Sequence, residues 1–199
     1  MNSKPRITRD PGAPPAPATN PKADLRKQLL NARRSLAADT RAQWDRAICA
    51  HLLAWCEAAG VTALGVYWPL HGEPDLQPAY AALAAQGVRL ALPVVLEKAA
   101  PLAFTSWTPG EAMLKDGMGV AVPAHLRIVA CPPALLVPCL GYNEGRFRLG
   151  YGGGYYDRTL ARAPRPLTVG VAYASLAAQF GGDAHDIALD HIVTERGVV

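Results

Sequence analysis

The sequence predicts an α/β protein: one domain of three layers, α/β/α, around a mostly parallel central sheet. Three observations lead there. Residues 61–94 run strand, loop, helix, strand, from V-T-A-L-G-V-Y-W through a short helical segment to V-R-L-A-L-P-V-V. A second apolar run, A-L-L-V-P-C at 134–139, leads through a glycine-rich loop and a helix to a third, L-T-V-G-V-A-Y at 167–173. Strands that alternate with helices in this way form parallel sheets. At 199 residues the chain is also long enough for one domain with a real core.

Taken in order, residues 1–20 read as a disordered extension, because Pro11 to Pro21 holds five prolines and little that can pack. The folded domain is then 21–199. Leu25, Leu29 and Leu36 recur at helical spacing, with Ala32 filling the stripe. Lys22, Arg26 and Arg33 fall within about 40° of one another on a wheel of 3.6 residues per turn. That basic line borders the leucine stripe, as either a solvated face or cations emerging at the edge of a buried one. A second helix is expected from an N-cap at Asp39 to Gly60, with Trp44, Ile48, Leu52 and Trp55 as its buried stripe. The strand at 61–68 ends in P-L-H-G-E-P; a helix over Leu76–Gln86 stops at Gly87 before the next strand. Leu102–Trp107 reads as a strand within a looser middle. Beyond the glycine loop come a helix from Tyr155 to Arg162, the strand at 167–173, and H-D-I-A-L-D-H-I-V-T-E, a loop running into a last short strand. In such sheets ligands collect outside the carboxyl ends of the strands. That rule gathers Trp68–Glu73, Gly141–Asp157 and the stretch from Tyr173 toward Asp186–Asp190.

Composition narrows the classes. No apolar run approaches the roughly 18 residues of a membrane-spanning helix, and the first ten residues lack the apolar region of a secretory signal. Cys49, Cys56, Cys131 and Cys139 show no C-x-x-C spacing, which fits unpaired thiols in a reducing cytoplasm and not a metal–thiolate site. A net charge of +4 and a pI near 9.0 suit polyanionic ligands of any size. The cations after residue 50 are dispersed, unlike the long basic surface of an RNA reader, so neither nucleic acid nor membrane is an expected partner. A monomer or weak homo-oligomer is expected.

The chemistry concentrates in R-L-G-Y-G-G-G-Y-Y-D-R, Arg148 to Arg158. Five of the ten residues from Gly145 to Gly154 are glycine, and Tyr151, Tyr155 and Tyr156 lie among or just after them. Glycine lets backbone N–H groups turn toward an anion, arginine grips phosphate oxygens, aromatic rings stack on flat heterocycles, and aspartate holds hard cations. There is no Walker A sequence, no G-x-S-x-G elbow and no metal-type histidine pair. What remains is phosphate chemistry by positioning and charge. Gly152, Gly153 and Gly154 open directly into a helix, and Arg148 would neutralise charge during phosphoryl transfer. Asp157 either caps that helix or holds Mg²⁺, with Asp190 as the second carboxylate. Glu73 either is a turn acid or accepts hydrogen bonds from a pterin-like ring.

These residues resemble the 5-formyltetrahydrofolate cyclo-ligase family, over roughly residues 22–195. The resemblance rests on K-A-D-L-R at 22–26, Y-W-P-L-H-G-E-P at 67–74, the long glycine motif from Val137 to Arg158, and L-D-H-I-V-T-E at 189–195. It implies ATP- and Mg²⁺-dependent closure of 5-formyltetrahydrofolate, with or without a polyglutamate chain, to 5,10-methenyltetrahydrofolate, with release of ADP and phosphate. It assigns Lys22, Arg26, Arg148 and the loop Leu149, Gly150, Tyr151, Gly152, Gly153, Gly154, Tyr155 and Tyr156 to ATP, with Arg148 catalytic. Trp68, Glu73 and Tyr155 fall to the folate, and Asp157 and Asp190 to Mg²⁺. Two positions depart from the family pattern: Asn143 replaces a frequent aspartate, and Tyr151 and Gly153 stand where some relatives carry cations. The competing readings are a folate-binding or storage protein, and a sugar-phosphate or CoA-type enzyme on a related fold.

Overall fold

The computed structural model describes residues 21–117 and 119–199, so the expectation for residues 1–20 lies outside the described residues. The chain forms α1 (Pro21–Arg34), α2 (Ala38–Ala58), β1 (Ala63–Gly65), α3 (Gln77–Ala85), β2 (Arg89–Val94) and β3 (Ala103–Trp107). It continues with β4 (Met113–Lys115), β5 (Ala121–Pro123), β6 (Ile128–Val129), β7 (Ala134–Pro138), β8 (Gly141–Tyr142) and β9 (Arg148–Leu149). Last come α4 (Tyr155–Leu160), β10 (Leu167–Val171), a 3₁₀ turn (Ala174–Leu176), β11 (His191–Thr194) and β12 (Gly197–Val198).

The main sheet has the order β12-β11-β10-β7-β1-β2-β3-β6. Its five central strands, β11 to β2, are all parallel, and the strands outside them pair antiparallel. This is the mostly parallel sheet the alternating pattern predicts. From β1 the chain moves to β2 on one side and later returns to β7 on the other. The crevice between the carboxyl ends of β1 and β7 is therefore the topological switch point, where open parallel sheets bind ligands.

Period-two alternation sorts the strands' side chains onto two faces. Ala134 and Leu136 of β7 join Leu64, Leu90, Leu92, Val169 and Val171 beneath Leu29, Ile48, Leu52 and Tyr80 of the first three helices. Leu135 and Val137 face the other way, against Leu160 of α4 and Ile187 and Leu189. The second covering layer is thus thin: one six-residue helix and an irregular segment.

Several boundaries differ from expectation. Asp39 lies in the first turn of α2; the N-cap is Ala37, without a side-chain hydrogen bond. Gly60 has φ +61° just past the α2 end, where a left-handed residue closes a helix. Leu36 falls in the turn between α1 and α2 but still packs on the core. The helix expected to reach Arg162 stops at Leu160. The hairpins β4–β5 and β8–β9 and the edge strand β6 were not expected, because two- and three-residue strands are too short to show a period.

Gly141 fixes how closely α1 approaches the sheet end. A Cβ built there would lie 2.5 Å from Leu29 Cδ1 and 3.0 Å from the Leu176 carbonyl oxygen. Gly141→Ala should therefore push α1 outward and lose about 1–3 kcal/mol by overpacking. Thermal unfolding would register this as a drop of several degrees; an unchanged melting temperature would mean that α1 is not seated there.

Candidate active site

The basic line of α1 faces the glycine loop at the carboxyl ends of the sheet. Arg26 Nε donates to the Gly150 carbonyl at 2.9 Å. Lys22 Nζ donates to Asp183 at 2.7 Å and Asp186 at 2.8 Å. Burial alone would lower the Lys22 pKa, but the two aspartates outweigh it and hold the ammonium above its ordinary value. Arg33 is fully buried, and its Nε donates to the His71 carbonyl at 3.2 Å. Of the two readings left open for this line, cations at the edge of a buried face is the one observed.

Arg33 also joins the loop that follows β1 to the glycine loop. Its Nη2 donates to the Tyr151 hydroxyl, which in turn donates to Glu73 Oε1 at 2.9 Å. The second Glu73 oxygen accepts from the Leu70 N–H at 2.8 Å. Glu73 is 4% exposed. Burial pushes its pKa up, and the Leu70 N–H, Arg33 and Tyr151 offset that only in part. Trp68, half-buried, leans edge-on against Trp107 with centroids 6.0 Å apart.

Leu149 is buried at the end of β9, and the loop turns out of it through Gly152 (φ +93°) and Gly154 (φ +63°). Only glycine takes such angles without strain. Arg158 braces the loop from below: its Nη2 donates to the Gly153 carbonyl at 2.6 Å, and its guanidinium lies 5.0 Å from the centre of the Tyr155 ring. Arg148, its side chain 7% exposed, pairs with Asp157 at 2.7 Å and faces the Tyr156 ring at 5.6 Å. Asp157 does not cap α4, whose N-cap, Gly154, makes no side-chain hydrogen bond. Its other oxygen accepts from the Ile187 N–H at 3.3 Å. With α4 only six residues long, the positive character of the site comes chiefly from side-chain cations.

Asp190, expected beside Asp157, has its partners at another place in the fold. Its Oδ2 accepts from the Thr168 N–H at 2.8 Å and hydroxyl at 2.7 Å, and Oδ1 meets Arg165 at 3.3 Å. Thr168 is the second residue of β10, and β11 begins one residue after Asp190, so this carboxylate sits at the amino ends of two parallel strands. The glycine loop lies at the opposite edge. The carboxylate beside Lys22 is Asp186, one residue before the N–H bound by Asp157. Burial opposes ionisation of Asp186, but the Asp183 N–H and Lys22 outweigh it and depress its pKa.

Sequence reasoning named Lys22, Arg26, Arg148, Glu73 and Asp157 in this region and missed the roles of Arg33, Asp186 and Arg158. The place of Arg33 on the basic line was a usable signal; nothing local marked Arg158. Asn143, the departure noted above, is a turn residue: Nδ2 donates to the Phe180 carbonyl at 2.9 Å and Oδ1 accepts from the Phe147 N–H at 3.0 Å. Among the described residues no group of three or more His, Cys, Asp or Glu could hold a metal by itself. No helix among them is long and apolar enough to cross a membrane.

Comparison with known proteins bears on the family and the fold. The model of the 5-formyltetrahydrofolate cyclo-ligase family matches residues 18–195. The 5-formyltetrahydrofolate cyclo-ligase of Mycolicibacterium smegmatis is 30% identical over 190 residues, covering 89% of this chain and 96% of the relative. That of Escherichia coli K12 is 27% identical, covering 83% and 96%. The NMR structure of Aquifex aeolicus 5,10-methenyltetrahydrofolate synthetase superposes with a TM-score of 0.77 at 29% identity, over 89% of this chain and 91% of that one. The Mycoplasma pneumoniae 5,10-methenyltetrahydrofolate synthetase shares the fold, with a TM-score of 0.75 at 24% identity over 88% and 99%.

Removing the buried cation tests the network. Arg33→Leu removes the cation that favours ionised Glu73 and the hydrogen bonds to the His71 carbonyl and the Tyr151 hydroxyl, a loss of about 1–3 kcal/mol for each buried group left unpaired. Because the folded-state pKa of Glu73 lies above its ordinary value, its contribution is full below the unfolded carboxyl range and fades as pH rises through the folded value. The deficit of the variant should therefore be smallest in acid and grow toward neutrality. Urea melts at several pH values check this; a pH-independent deficit would sever Arg33 from Glu73.

Proposed function

The chain belongs to the 5-formyltetrahydrofolate cyclo-ligase family, and on that premise we propose that it converts 5-formyltetrahydrofolate to 5,10-methenyltetrahydrofolate at the expense of ATP. One observation carries the reading: Lys22, Arg26 and Arg148, from two separate elements, flank one glycine loop beside two carboxylates. The formyl oxygen of the substrate attacks the γ-phosphorus, and ADP leaves. The second substrate nitrogen then attacks the activated formyl carbon and closes the ring, and phosphate departs with the former formyl oxygen and takes up the proton that the nitrogen loses. No protein nucleophile is required, in keeping with a site made of cations, carboxylates and backbone N–H groups.

The residues act by holding and neutralising. Each cation has a partner within the protein: Asp183 and Asp186 on Lys22, the Gly150 carbonyl on Arg26, Asp157 on Arg148. Phosphate oxygens take the place of those partners, and positioning with charge neutralisation supplies the catalysis. Arg148, enclosed and positioned by Asp157 and Tyr156, is the group assigned to the transferring phosphoryl. The released carboxylates of Asp157 and Asp186 fit a Mg²⁺ ion, which takes one or two carboxylates and completes its shell with phosphate and water. Bound there, the ion would offset charge on the nucleotide phosphates. Glu73 accepts from the pterin, with Trp68 and Tyr155 as aromatic neighbours. A cytoplasmic location fits four free thiols.

The assay follows the near-ultraviolet absorbance of the methenyl product, with ATP omitted as control. ATP-dependent growth of the band is the expected result. Folate binding without turnover would instead indicate a storage protein. Arg148→Ala should slow turnover by on the order of 10²–10³ while folate binding, followed by calorimetry, changes little. Equal losses in both would remove Arg148 from the phosphoryl step. Asp186→Asn should raise the Mg²⁺ needed for half-maximal rate by at least about tenfold. Asp190→Asn should leave that requirement unchanged and lower only the melting temperature; the reverse pattern would reinstate Asp190 as the ligand.

A further inference from the structure

Tyr151 lies where the nucleotide loop and the proposed folate site meet, and its contacts go beyond loop-building. Its hydroxyl donates to Glu73 Oε1 at 2.9 Å and accepts from the buried Arg33. A phenol hydroxyl is here doing to Glu73 what an N–H of a pterin edge would do. Leu70 N–H holds the other oxygen, and the carboxylate is 4% exposed, so it cannot receive a flat ring while the tyrosine stays. The rest of the tyrosine, 47% exposed, stands edge-on to His71 with centroids 5.6 Å apart. It is a cover over Glu73 and not a core residue.

The backbone around it is built to pivot. On one side Arg26 holds the Gly150 carbonyl at 2.9 Å. On the other, Gly152 and Gly154 both have positive φ, so rotation there meets no Cβ barrier. Among the described residues Arg33 Nη1 is buried without a partner, so the guanidinium keeps an N–H free for a new acceptor.

We infer that Tyr151 is a substrate-displaced gate: its hydroxyl occupies Glu73 until the donor edge of a reduced pterin replaces it. The move releases residues 150–154 to rearrange around the nucleotide phosphates. This rests on the folate reading above. Tyr151 is then a specificity residue, since only a ligand presenting N–H donors to Glu73 can open the loop. It also couples the sites, folate binding making the nucleotide loop available.

Calorimetry with 5-formyltetrahydrofolate on the full chain, wild type and Tyr151→Phe, separates the possibilities. The gate predicts tighter binding by the variant, by about tenfold, the value of one hydrogen bond to a charged group. Unchanged or weaker binding by the variant overturns it, an unchanged value meaning packing only and a weaker one meaning that Tyr151 holds Glu73 for the substrate. Titration of a non-hydrolysable ATP analogue with and without 5-formyltetrahydrofolate gives a second readout. Wild type should bind the analogue more tightly once folate is present, and the variant should lose most of that enhancement; equal enhancement in both refutes the coupling. Tyr151→Leu, which also lacks the hydroxyl, must shift the same way and replaces the phenylalanine variant if that one does not fold. Failure of wild type to bind 5-formyltetrahydrofolate at all would overturn the folate reading together with the gate.

Discussion

A guanidinium withdrawn wholly from water must find its partners inside the protein. Arg33 is that group, and much of the site depends on where those partners are. It finds the His71 carbonyl beyond β1 and the Tyr151 hydroxyl in the glycine loop, and through the latter it faces the buried Glu73. One side chain from α1 thus ties together two loops that leave neighbouring strands. The cost of burying such a charge is several kcal/mol, repaid only by good geometry. The tie therefore favours one placement of α1, and α1 is the element that carries Lys22 and Arg26.

The sheet supplies the frame for that tie. Parallel strands send their carboxyl ends to one edge, and the reversal of strand order between β1 and β7 opens a crevice there. The loops on either side of it hold Glu73 and Arg148. The thin covering of the second face is equally useful. The connection from β10 to β11 contains only the short 3₁₀ turn and otherwise irregular chain, so it crosses the edge near α1, drops Asp183 and Asp186 beside Lys22, then descends past Asp157 to the amino end of β11.

Electrostatically the site is self-neutralised. Lys22 and Arg148 each hold carboxylates, and these pairs keep the cations folded toward the loop without leaving an unmatched charge in a half-buried cleft. A nucleotide with its cation offers the same two signs in exchange. Glu73 is the exception: burial weakens its ionisation, and it is covered by a tyrosine that belongs to the opposite half of the site.

The alternation of apolar runs and helices was enough to determine the layers and the parallel sheet, because periodicity is local and burial follows it. The glycine motif, the basic spacing of Lys22, Arg26 and Arg33, and the place of Glu73 at a strand end were legible for the same reason. Short hairpins such as β8–β9 were not, since two residues carry no period. The positions of the carboxylates were not legible for a different cause. Asp186 and Asp190 are four residues apart in one acidic loop, and sequence offers no way to rank them. Only the path of the chain, from the carboxyl edge of the sheet to its amino edge, puts the first at the site and the second against Thr168. Likewise nothing local joins Tyr151 to Arg33 and Glu73, which lie 118 and 78 positions away. Contacts of that range are decided by packing, because the partners meet only after the sheet has brought their loops together.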